Sequence, residues 1–431
     1  HFDYPLSPEK IYQYVTNSDN IKKHAFYPFI HFELTSRKIK KNGFKIVKGK
    51  RQVIIEKQNP KIRPIKYSAH IDGHIYAYYS FLLSPHYEKL LVQKQIQESV
   101  LAFRKLSNSP NNIHFAKKVF DEVKERQNCS VICLDIKSFF DELDHKLLKN
   151  AWQKVLGVEE LPIDHYQVYK SITKYSYADK KPIYANLNLS LNRHHKKLKR
   201  LCNSEDFREK IRNEKIIIKN PLNKGIPQGS AISAFLSNIY MMDFDEKMKE
   251  KADKLGAKYY RYCDDILIIC DRENQTDFVM TSQILIKKLN LILQEKKNKI
   301  AEFKNGIRIS KDELQYLGFT YDGNKILLRD TGLAKYSHKV TKAIRMSNKS
   351  LLRINLSRIK RGLNPLGLHK KHIYRRFSFV GQRNYISYAL KASRIMNEPA
   401  IKKQVQPHWK KIIKKLDDRA KVNSKFMKII N

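Results

Sequence analysis

The stretch Tyr262-Cys263-Asp264-Asp265 places two adjacent carboxylates between two strand-like runs, Lys258 to Arg261 before it and Ile266 to Cys270 after it. The acidic pair therefore falls at a tight turn between strands. Like charges this close repel each other unless a cation or a solvated turn compensates for them. The pattern predicts either a divalent metal site or, because Asp is a common turn residue, an ordinary strand connection.

A third carboxylate favours the metal site. Asp135 ends the apolar run Ser130 to Leu134, which reads as a buried strand. A central strand and a neighbouring hairpin can bring Asp135 beside Asp264 and Asp265. Carboxylate clusters of this kind hold two Mg²⁺ ions roughly 4 Å apart for in-line phosphoryl displacement. The predicted chemistry is nucleotidyl transfer.

Three segments, in order and in spacing, resemble the motifs of reverse transcriptases: Asp135 to Asp141, Gly225 to Ser233 and Tyr262 to Asp265. Further matches extend this resemblance. Lys61 to Pro64 resembles the fingers motif, Leu291 to Lys297 the fourth palm motif and Leu314 to Phe319 the primer grip. The resemblance implies an α+β right-hand polymerase with fingers, a palm made of an antiparallel sheet plus helices, and a helical thumb.

The resemblance also divides the chain. We expect an N-terminal extension over residues 1–60, fingers over 61–130 and 157–224, a palm over 131–156 and 225–322, and a basic helical thumb over 323–431.

The charge of the chain agrees with a polyanionic partner. Its 85 Lys and Arg against 42 Asp and Glu give a formal charge of +43. Residues 325–431 hold 28 of those basic residues and 4 acidic ones. So large and local an excess indicates a surface that grips nucleic acid, although a basic, solubilising surface is the simpler alternative.

The resemblance assigns catalytic roles to four residues. Asp135, Asp264 and Asp265, with the backbone carbonyl of Ile136, would hold two Mg²⁺ ions. Lys297 matches the lysine that lies near the leaving pyrophosphate in the family, where a protonated amine stabilises charge or donates a proton. A solvated basic loop is the alternative reading of Lys297.

Five residues are implied for binding the deoxynucleotide. Lys61 and Arg63 would hold the triphosphate, and Gln228 with Gly229 would position the templating pair. Phe140 lies five residues after Asp135, where the family places a ring that clashes with a 2′-hydroxyl. DNA is then the expected product, unless Phe140 is only a core residue of the palm.

Contacts to template and primer are expected from basic and aromatic residues in several segments. The candidates are Arg104, Lys105, Tyr262, Gly318, Phe319, Arg383, Lys391 and Arg394.

Within the family, the chain most resembles bacterial defence-associated enzymes, including the abortive-infection-like and retron-related groups. The resemblance lies in the long basic insertion over residues 157–224, the N-terminal extension and the stretch from Ile373 to Met396. Such an enzyme implies an RNA template, including a dedicated non-coding RNA, together with dNTPs, a DNA product, and a further defence protein or a second copy as partner. Three alternatives stay open: an RNA-binding scaffold with a polymerase fold, untemplated or protein-primed DNA synthesis, and an RNA polymerase. Phe140 and Tyr262-Cys263 oppose the last of these.

The five cysteines form no CxxC pair and several fall in predicted buried strands, which favours reduced thiols in the cytoplasm. No segment approaches the ~20 apolar residues that span a membrane, and the beginning of the sequence lacks the apolar core of a signal peptide.

Overall fold

The computed structural model describes residues 1–47, 49–191 and 198–430. These residues group into two units. Within the described residues, the first unit contains 1–47, 49–104, 134–191, 198–268 and 276–298, and the second contains 105–133, 269–275 and 299–430.

The helices are given in chain order. They are α1 (Pro8–Val15), α2 (Ser18–Lys22), α3 (His70–Gln93), α4 (Asn112–Arg126), α5 (Phe139–Glu142), α6 (His145–Leu156), α7 (Ile163–Thr173), α8 (Lys180–Asn186), α9 (Ser204–Asp206), α10 (Ser233–Tyr240), α11 (Met242–Lys254), α12 (Gln275–Lys288), α13 (Asp330–Ile359), α14 (Lys370–Phe377), α15 (Tyr385–Ile395), α16 (Pro399–Val405) and α17 (Pro407–Ile430). A π-helical turn spans Phe207–Arg212, and 3₁₀ turns span Arg272–Asn274 and Glu295–Lys297.

The strands are β1 (Phe29–Val47), β2 (Lys50–Tyr67), β3 (Cys129–Asp135), β4 (Ser176–Asp179), β5 (Ile218–Lys219), β6 (Lys258–Tyr262), β7 (Asp265–Cys270), β8 (Lys299–Lys304), β9 (Ile307–Arg308), β10 (Leu314–Tyr316), β11 (Phe319–Tyr321) and β12 (Ile326–Leu328). They form three sheets with the orders β2-β1-β4-β5, β6-β7-β3-β8-β9 and β10-β11-β12. The expected mixed α+β class is confirmed.

The long β1–β2 ribbon is a prominent feature of the first unit. Its strands are antiparallel, with Ile30 opposite Tyr67 and Ser36 opposite Lys61. At its base, β1 also pairs in parallel with β4, from Phe29 opposite Tyr177. Strand β2 runs continuously through residues 60 and 61, the expected boundary between the N-terminal extension and the fingers.

Apolar residues recur at helical spacing from Ser138 to Leu156, which predicts one continuous helix, but in the structure this helix is interrupted. Asp144 has an extended backbone and its carboxylate accepts a hydrogen bond from the backbone N–H of Leu147 at 3.0 Å. It therefore caps the start of α6 and separates it from the short α5. Gly157, with φ 69°, ends α6 in the left-handed conformation that favours glycine.

The second unit combines a small sheet with helices. In β12, Ile326 and Leu328 donate backbone hydrogen bonds to Glu398 and Gln404 side chains at 3.0 and 2.9 Å. Both acceptors lie on or beside α16. These bonds satisfy one edge of the β10-β11-β12 sheet. The expected boundary between palm and thumb, at residue 322, falls between β11 and β12. These two strands nevertheless pair with each other.

Across the ranges that the structure describes, no helix combines the length and the apolar character needed to cross a lipid bilayer.

Candidate active site

Asp135 lies at the end of β3, where three backbone hydrogen bonds fix the chain. The N–H of Ile136 donates to the carbonyl oxygen of Asp264 at 3.4 Å. On the other side, the N–H of Gln294 donates to the carbonyl oxygen of Asp135 at 2.7 Å, and Lys137 donates to Ile292 at 2.9 Å. Asp135 therefore lies between the acidic hairpin and the segment that leads to Lys297.

The acidic pair lies at a two-residue hairpin turn between β6 and β7. Cys263 and Asp264 form the turn, and Asp265 opens β7. Cys263 has φ 60°, a left-handed conformation that occurs in tight hairpin turns. Burial, with the neighbouring Asp264 carboxylate, raises the pKa of the Cys263 thiol to about 12. The turn thus has a buried neutral thiol on one side, while Asp264 is half-buried and Asp265 exposed.

Cations surround these carboxylates. The ammonium group of Lys297 forms an ion pair with the Asp135 carboxylate. Desolvation lowers the pKa of Lys61, and the charges of Arg63 and Lys297 act in the same direction, whereas Asp135 and Asp264 oppose the shift. All five groups therefore share one electrostatic environment. The arrangement combines anions suited to a divalent cation with cations suited to phosphate.

The donor chemistry fits Mg²⁺, because Asp135, Asp264 and Asp265 offer carboxylate oxygens, whereas the Cys263 thiol of the turn is buried and protonated. The oxygens of these three carboxylates are not all within 4.8 Å of one another, and the Asp135 carboxylate is paired with Lys297. In the described part of the chain, the one group of three acidic, His or Cys side chains with all ligand atoms within 4.8 Å is His1, Asp3 and His70. There the Asp3 carboxylate already accepts two backbone N–H groups that open α3.

The segment Gly225 to Ser233 lies against the residues that follow Asp135. Ile226 donates to the carbonyl of Phe140, and Gly225 donates to that of Leu143, both at 2.8 Å. Phe139 is buried beside it, whereas Phe140 is only half-buried. Phe140 therefore keeps part of its surface accessible.

The same segment contacts the base of the β1–β2 ribbon. The N–H of Lys66 donates to the carbonyl of Gln228 at 2.9 Å. Gly229 has φ 117°, and a Cβ at this position would lie 2.9 Å from the carbonyl oxygen of Lys66. A glycine is needed here for both reasons. Gln228 and Gly229 are thus held between Lys66 and the Phe140 segment.

The candidate nucleic-acid contacts differ in how far they are exposed to solvent. Tyr262 is half-buried and desolvation raises its pKa. In the second unit, Phe319 is buried in β11, with its ring 6.2 Å from that of Tyr388. The other candidate contacts in the second unit are exposed, and they are Lys105, Gly318, Arg383, Lys391 and Arg394.

Arg104 has a different environment from the one expected. Its side chain is 4% exposed and forms a two-point ion pair with Glu88, with N···O distances of 2.9 and 2.6 Å. Its remaining nitrogen donates to the carbonyls of Gln97 and Val100. Because the guanidinium of Arg104 is already paired inside the first unit, it is not available to bind a nucleic-acid phosphate in this arrangement.

Two residues near the site have contacts that the sequence pattern did not indicate. Lys66 is 7% exposed, and its ammonium lies over the rings of Tyr175 and Tyr177 at 5.3 and 5.1 Å. Arg261, in β6, is fully buried against Asp245. The partners are distant in sequence, so only the fold reveals them.

Comparisons with known proteins place the chain in a family. Residues 55–321, more than half of the chain, match the family model described as reverse transcriptase (RNA-dependent DNA polymerase). A search of curated proteins found no match.

Among solved structures, similar chains include three telomerase structures from two organisms. The apo telomerase of Candida tropicalis truncated from its C-terminal domain has 11% identity and a TM-score of 0.39, with 69% of this chain and 57% of that chain covered. The apo telomerase of Candida tropicalis has 12% identity and a TM-score of 0.39, with 67% and 46% covered. The Candida albicans telomerase in complex with a fragment of telomeric RNA has 11% identity and a TM-score of 0.37, with 78% and 54% covered.

The present chain spans about half the length of these three structures. The family match, which includes Asp135 and the acidic hairpin, agrees with the polymerase architecture expected from the motifs. The chain belongs to the reverse transcriptase family of RNA-dependent DNA polymerases.

Proposed function

We propose that this protein is an RNA-directed DNA polymerase that adds dNTPs to a primer 3′ end. The observation that supports this most directly is the backbone hydrogen bond from Ile136 to Asp264. It joins the end of β3 to the acidic hairpin, and Lys61 interacts with the charges of both Asp135 and Asp264. The surrounding cations suit the triphosphate of a nucleotide.

Asp135, Asp264 and Asp265, with the carbonyl of Ile136, are the proposed ligands of two Mg²⁺ ions. When bound, such ions activate the primer hydroxyl and stabilise charge on the triphosphate and the leaving pyrophosphate. Lys297 balances the charge of Asp135 in the present arrangement. Once Asp135 is released from this pair, Lys297 is free to stabilise or protonate the leaving pyrophosphate.

Lys61 and Arg63 are the proposed triphosphate contacts. Both are exposed residues of β2, and Lys61 responds to the charges of Asp135, Asp264 and Lys297. The desolvation that lowers its pKa reflects the partial enclosure of its ammonium. A phosphate near these cations would restore the charge balance that the carboxylates alone do not supply.

Phe140, Gln228 and Gly229 form the proposed sugar and base-pair contacts. The half-buried Phe140 ring has the accessible surface that exclusion of a 2′-hydroxyl requires. We expect Phe140→Ala to reduce the preference for dNTPs over rNTPs by about 10- to 100-fold, the range of a steric pocket. Phe139→Leu is the matched control, because Phe139 is buried and should affect stability without affecting sugar selection. If Phe140→Ala left the preference for dNTPs over rNTPs unchanged, Phe140 would be a core residue of the palm without a role in sugar selection.

We propose that the chain consists of an N-terminal extension over 1–60, fingers over 61–130 and 157–224, a palm over 131–156 and 225–322, and a basic helical thumb over 323–431. For template and primer we propose contacts from Tyr262 and Gly318, with Phe319 supporting Gly318 from its buried position in β11. The exposed cations Lys105, Arg383, Lys391 and Arg394 would bind backbone phosphates.

We further propose a role in bacterial antiphage defence with a dedicated non-coding RNA. This narrower function is supported by the resemblance of the basic insertion and of the stretch from Ile373 to Met396. Expression of the protein with its native flanking RNA should lower phage plating efficiency, and Asp264→Asn should remove that effect. Protection that persists in Asp264→Asn would indicate a scaffold that needs no synthesis.

The activity is tested by incorporation of labelled dNTPs and rNTPs on a primed RNA of known sequence with Mg²⁺. Incorporation of only the encoded dNTPs supports templated DNA synthesis. Incorporation that ignores the template indicates untemplated or protein-primed synthesis, and a labelled protein band identifies the latter. Preference for rNTPs would contradict the proposal.

A further inference from the structure

A buried ion pair lies beneath the acidic hairpin. Arg261, in β6, is three residues before Asp264, and its side chain has 0% exposure. Its Nε and Nη2 donate to the two carboxylate oxygens of Asp245 in α11, each at 2.6 Å. Burial alone would lower the pKa of Arg261, but the Asp245 carboxylate outweighs it and the pKa is raised. The guanidinium is therefore a fixed cation with a fixed orientation.

The third nitrogen of the same guanidinium reaches the turn. Nη1 of Arg261 donates to the carbonyl oxygen of Cys263 at 3.1 Å and to Oδ1 of Asn238, in α10, at 3.2 Å. Tyr259 donates its hydroxyl to Asp245 Oδ1 at 2.6 Å. One side chain thus links the hairpin turn to two helices.

The surrounding backbone is fixed as well. The N–H of Arg261 donates to Ser99 at 2.8 Å, and the carbonyl of Arg261 accepts from Leu101 at 2.9 Å. Asn238 donates its amide to the carbonyl of Ala102 at 2.8 Å. Strand β6 and the residues around Ala102 are consequently one hydrogen-bonded body to which the guanidinium is anchored.

The hydrogen bond from Arg261 to the Cys263 carbonyl affects the carboxylates because this carbonyl belongs to the peptide group that precedes Asp264. The carbonyl of Cys263 and the N–H of Asp264 share one planar group. A hydrogen bond that fixes the carbonyl therefore fixes the plane from which Asp264 begins. Cys263 holds a positive φ that non-glycine residues rarely adopt, so the turn needs an external contact to maintain it.

We propose that Arg261 is a positioning residue that orients the Asp264–Asp265 carboxylates for cation binding, through the Cys263 carbonyl. This inference rests on the proposed two-metal function. Stability alone gives no reason for the pair, because buried ion pairs can often be replaced by apolar side chains without loss. A guanidinium can bind a carboxylate at two points and a carbonyl at a third, which an ammonium cannot do.

Two variants separate positioning from folding. Arg261→Lys keeps the buried positive charge but lacks the fork that reaches both Asp245 and Cys263. The double variant Arg261→Met with Asp245→Leu leaves neither charge unpaired in the core. Tyr259→Phe is the matched control, because it removes a hydrogen bond from the same carboxylate and leaves the contact with Cys263 in place.

The measurement is the affinity for Mn²⁺ alone, by electron paramagnetic resonance, on the full chain, with thermal melting as the test of folding. We expect about tenfold weaker Mn²⁺ binding in Arg261→Lys and in the double variant, the usual scale for a residue that orients a ligand. Tyr259→Phe should lower the melting temperature and keep the wild-type affinity.

Each outcome decides between roles. Folded Arg261 variants with wild-type Mn²⁺ affinity would overturn the inference. A double variant that does not fold would also overturn it, because the pair would then be needed for the fold itself. Asp264→Asn tests the metal site separately: if it binds Mn²⁺ as wild type does, the proposed metal site fails, whatever Arg261 does.

Discussion

The two hairpins of the first unit differ in length, in burial and in charge. The β6–β7 hairpin turns in two residues, Cys263 and Asp264, and the side chain of Arg261 is buried beneath it. The β1–β2 ribbon has strands of 19 and 18 residues and carries Lys61 and Arg63 on an exposed surface. The short hairpin supplies carboxylates and the long one supplies cations.

The difference between the two hairpins matches the geometric precision that each proposed ligand requires. A divalent cation requires oxygen ligands at fixed distances, so its carboxylates benefit from a turn held by buried contacts. A triphosphate has many equivalent oxygens, and long flexible cations can reach them from an exposed strand. Substitutions in the buried hairpin should therefore reduce the rate of synthesis, whereas those in the ribbon should chiefly weaken nucleotide binding.

Apart from Asp264→Asn, which should abolish synthesis, the largest expected effect comes from the ion pair between Asp135 and Lys297. Asp135→Asn should reduce the rate by about a thousandfold, because loss of metal-mediated charge stabilisation is worth several kcal/mol. Lys297→Met removes the same ion pair but should cost only about a hundredfold, the scale of a missing proton donor. Single-turnover primer extension measures both. Equal losses would mean that the pair matters only for structure.

A smaller effect is expected where the Gly225–Ser233 segment meets the ribbon. Gly229→Ala places a Cβ 2.9 Å from the Lys66 carbonyl oxygen, so the loop must shift. We expect roughly a 10- to 100-fold loss of kcat/KM from this displacement.

Gly256→Ala is the control for Gly229→Ala. Gly256 has φ 61° and no atom within 4 Å of an added Cβ, so the substitution brings backbone strain without a clash. It should destabilise the fold by about 1–2 kcal/mol and leave kcat/KM unchanged. Equal effects on kcat/KM in the two variants would show that contact with the ribbon does not matter.

The smallest effect is the pH dependence of nucleotide binding. Desolvation, Arg63 and Lys297 lower the pKa of Lys61, so its ammonium loses the proton at a lower pH than an ordinary lysine. As pH rises through the alkaline range, the KM for dNTP should increase about two- to fivefold, the worth of one exposed charge contact. Lys61→Arg, which stays charged, should flatten that profile. The same slope in both proteins would exclude Lys61 as its source.

The acidic motifs were readable from sequence because each is local. Tyr262 to Asp265 lies between strand-like runs, and Asp135 ends an apolar run, so a period of two and a turn are enough to place them. The α+β class follows from the resemblance to reverse transcriptases that these motifs carry. The break of the helix at Asp144 was missed because capping competes with a helical pattern that continues through it.

The contacts that fix these motifs were not readable. Arg261 pairs with Asp245 across 16 residues and bonds Asn238 across 23, and no periodicity links them. Arg104 looked like a phosphate ligand because sequence gives its charge but not its partner Glu88. Sequence thus identifies which residues carry charge, while tertiary contacts decide which of those charges remain available.

Template-directed extension of a labelled DNA primer on an RNA of known sequence, with wild type and Asp264→Asn side by side, tests the central claim most directly. Asp271→Asn, an exposed carboxylate just beyond the far end of β7, is the control for a lost charge. We expect Mg²⁺-dependent addition of the encoded dNTPs by wild type and Asp271→Asn, and none by a folded Asp264→Asn. Extension by Asp264→Asn at the wild-type rate would contradict the assignment of the acidic hairpin as the catalytic centre.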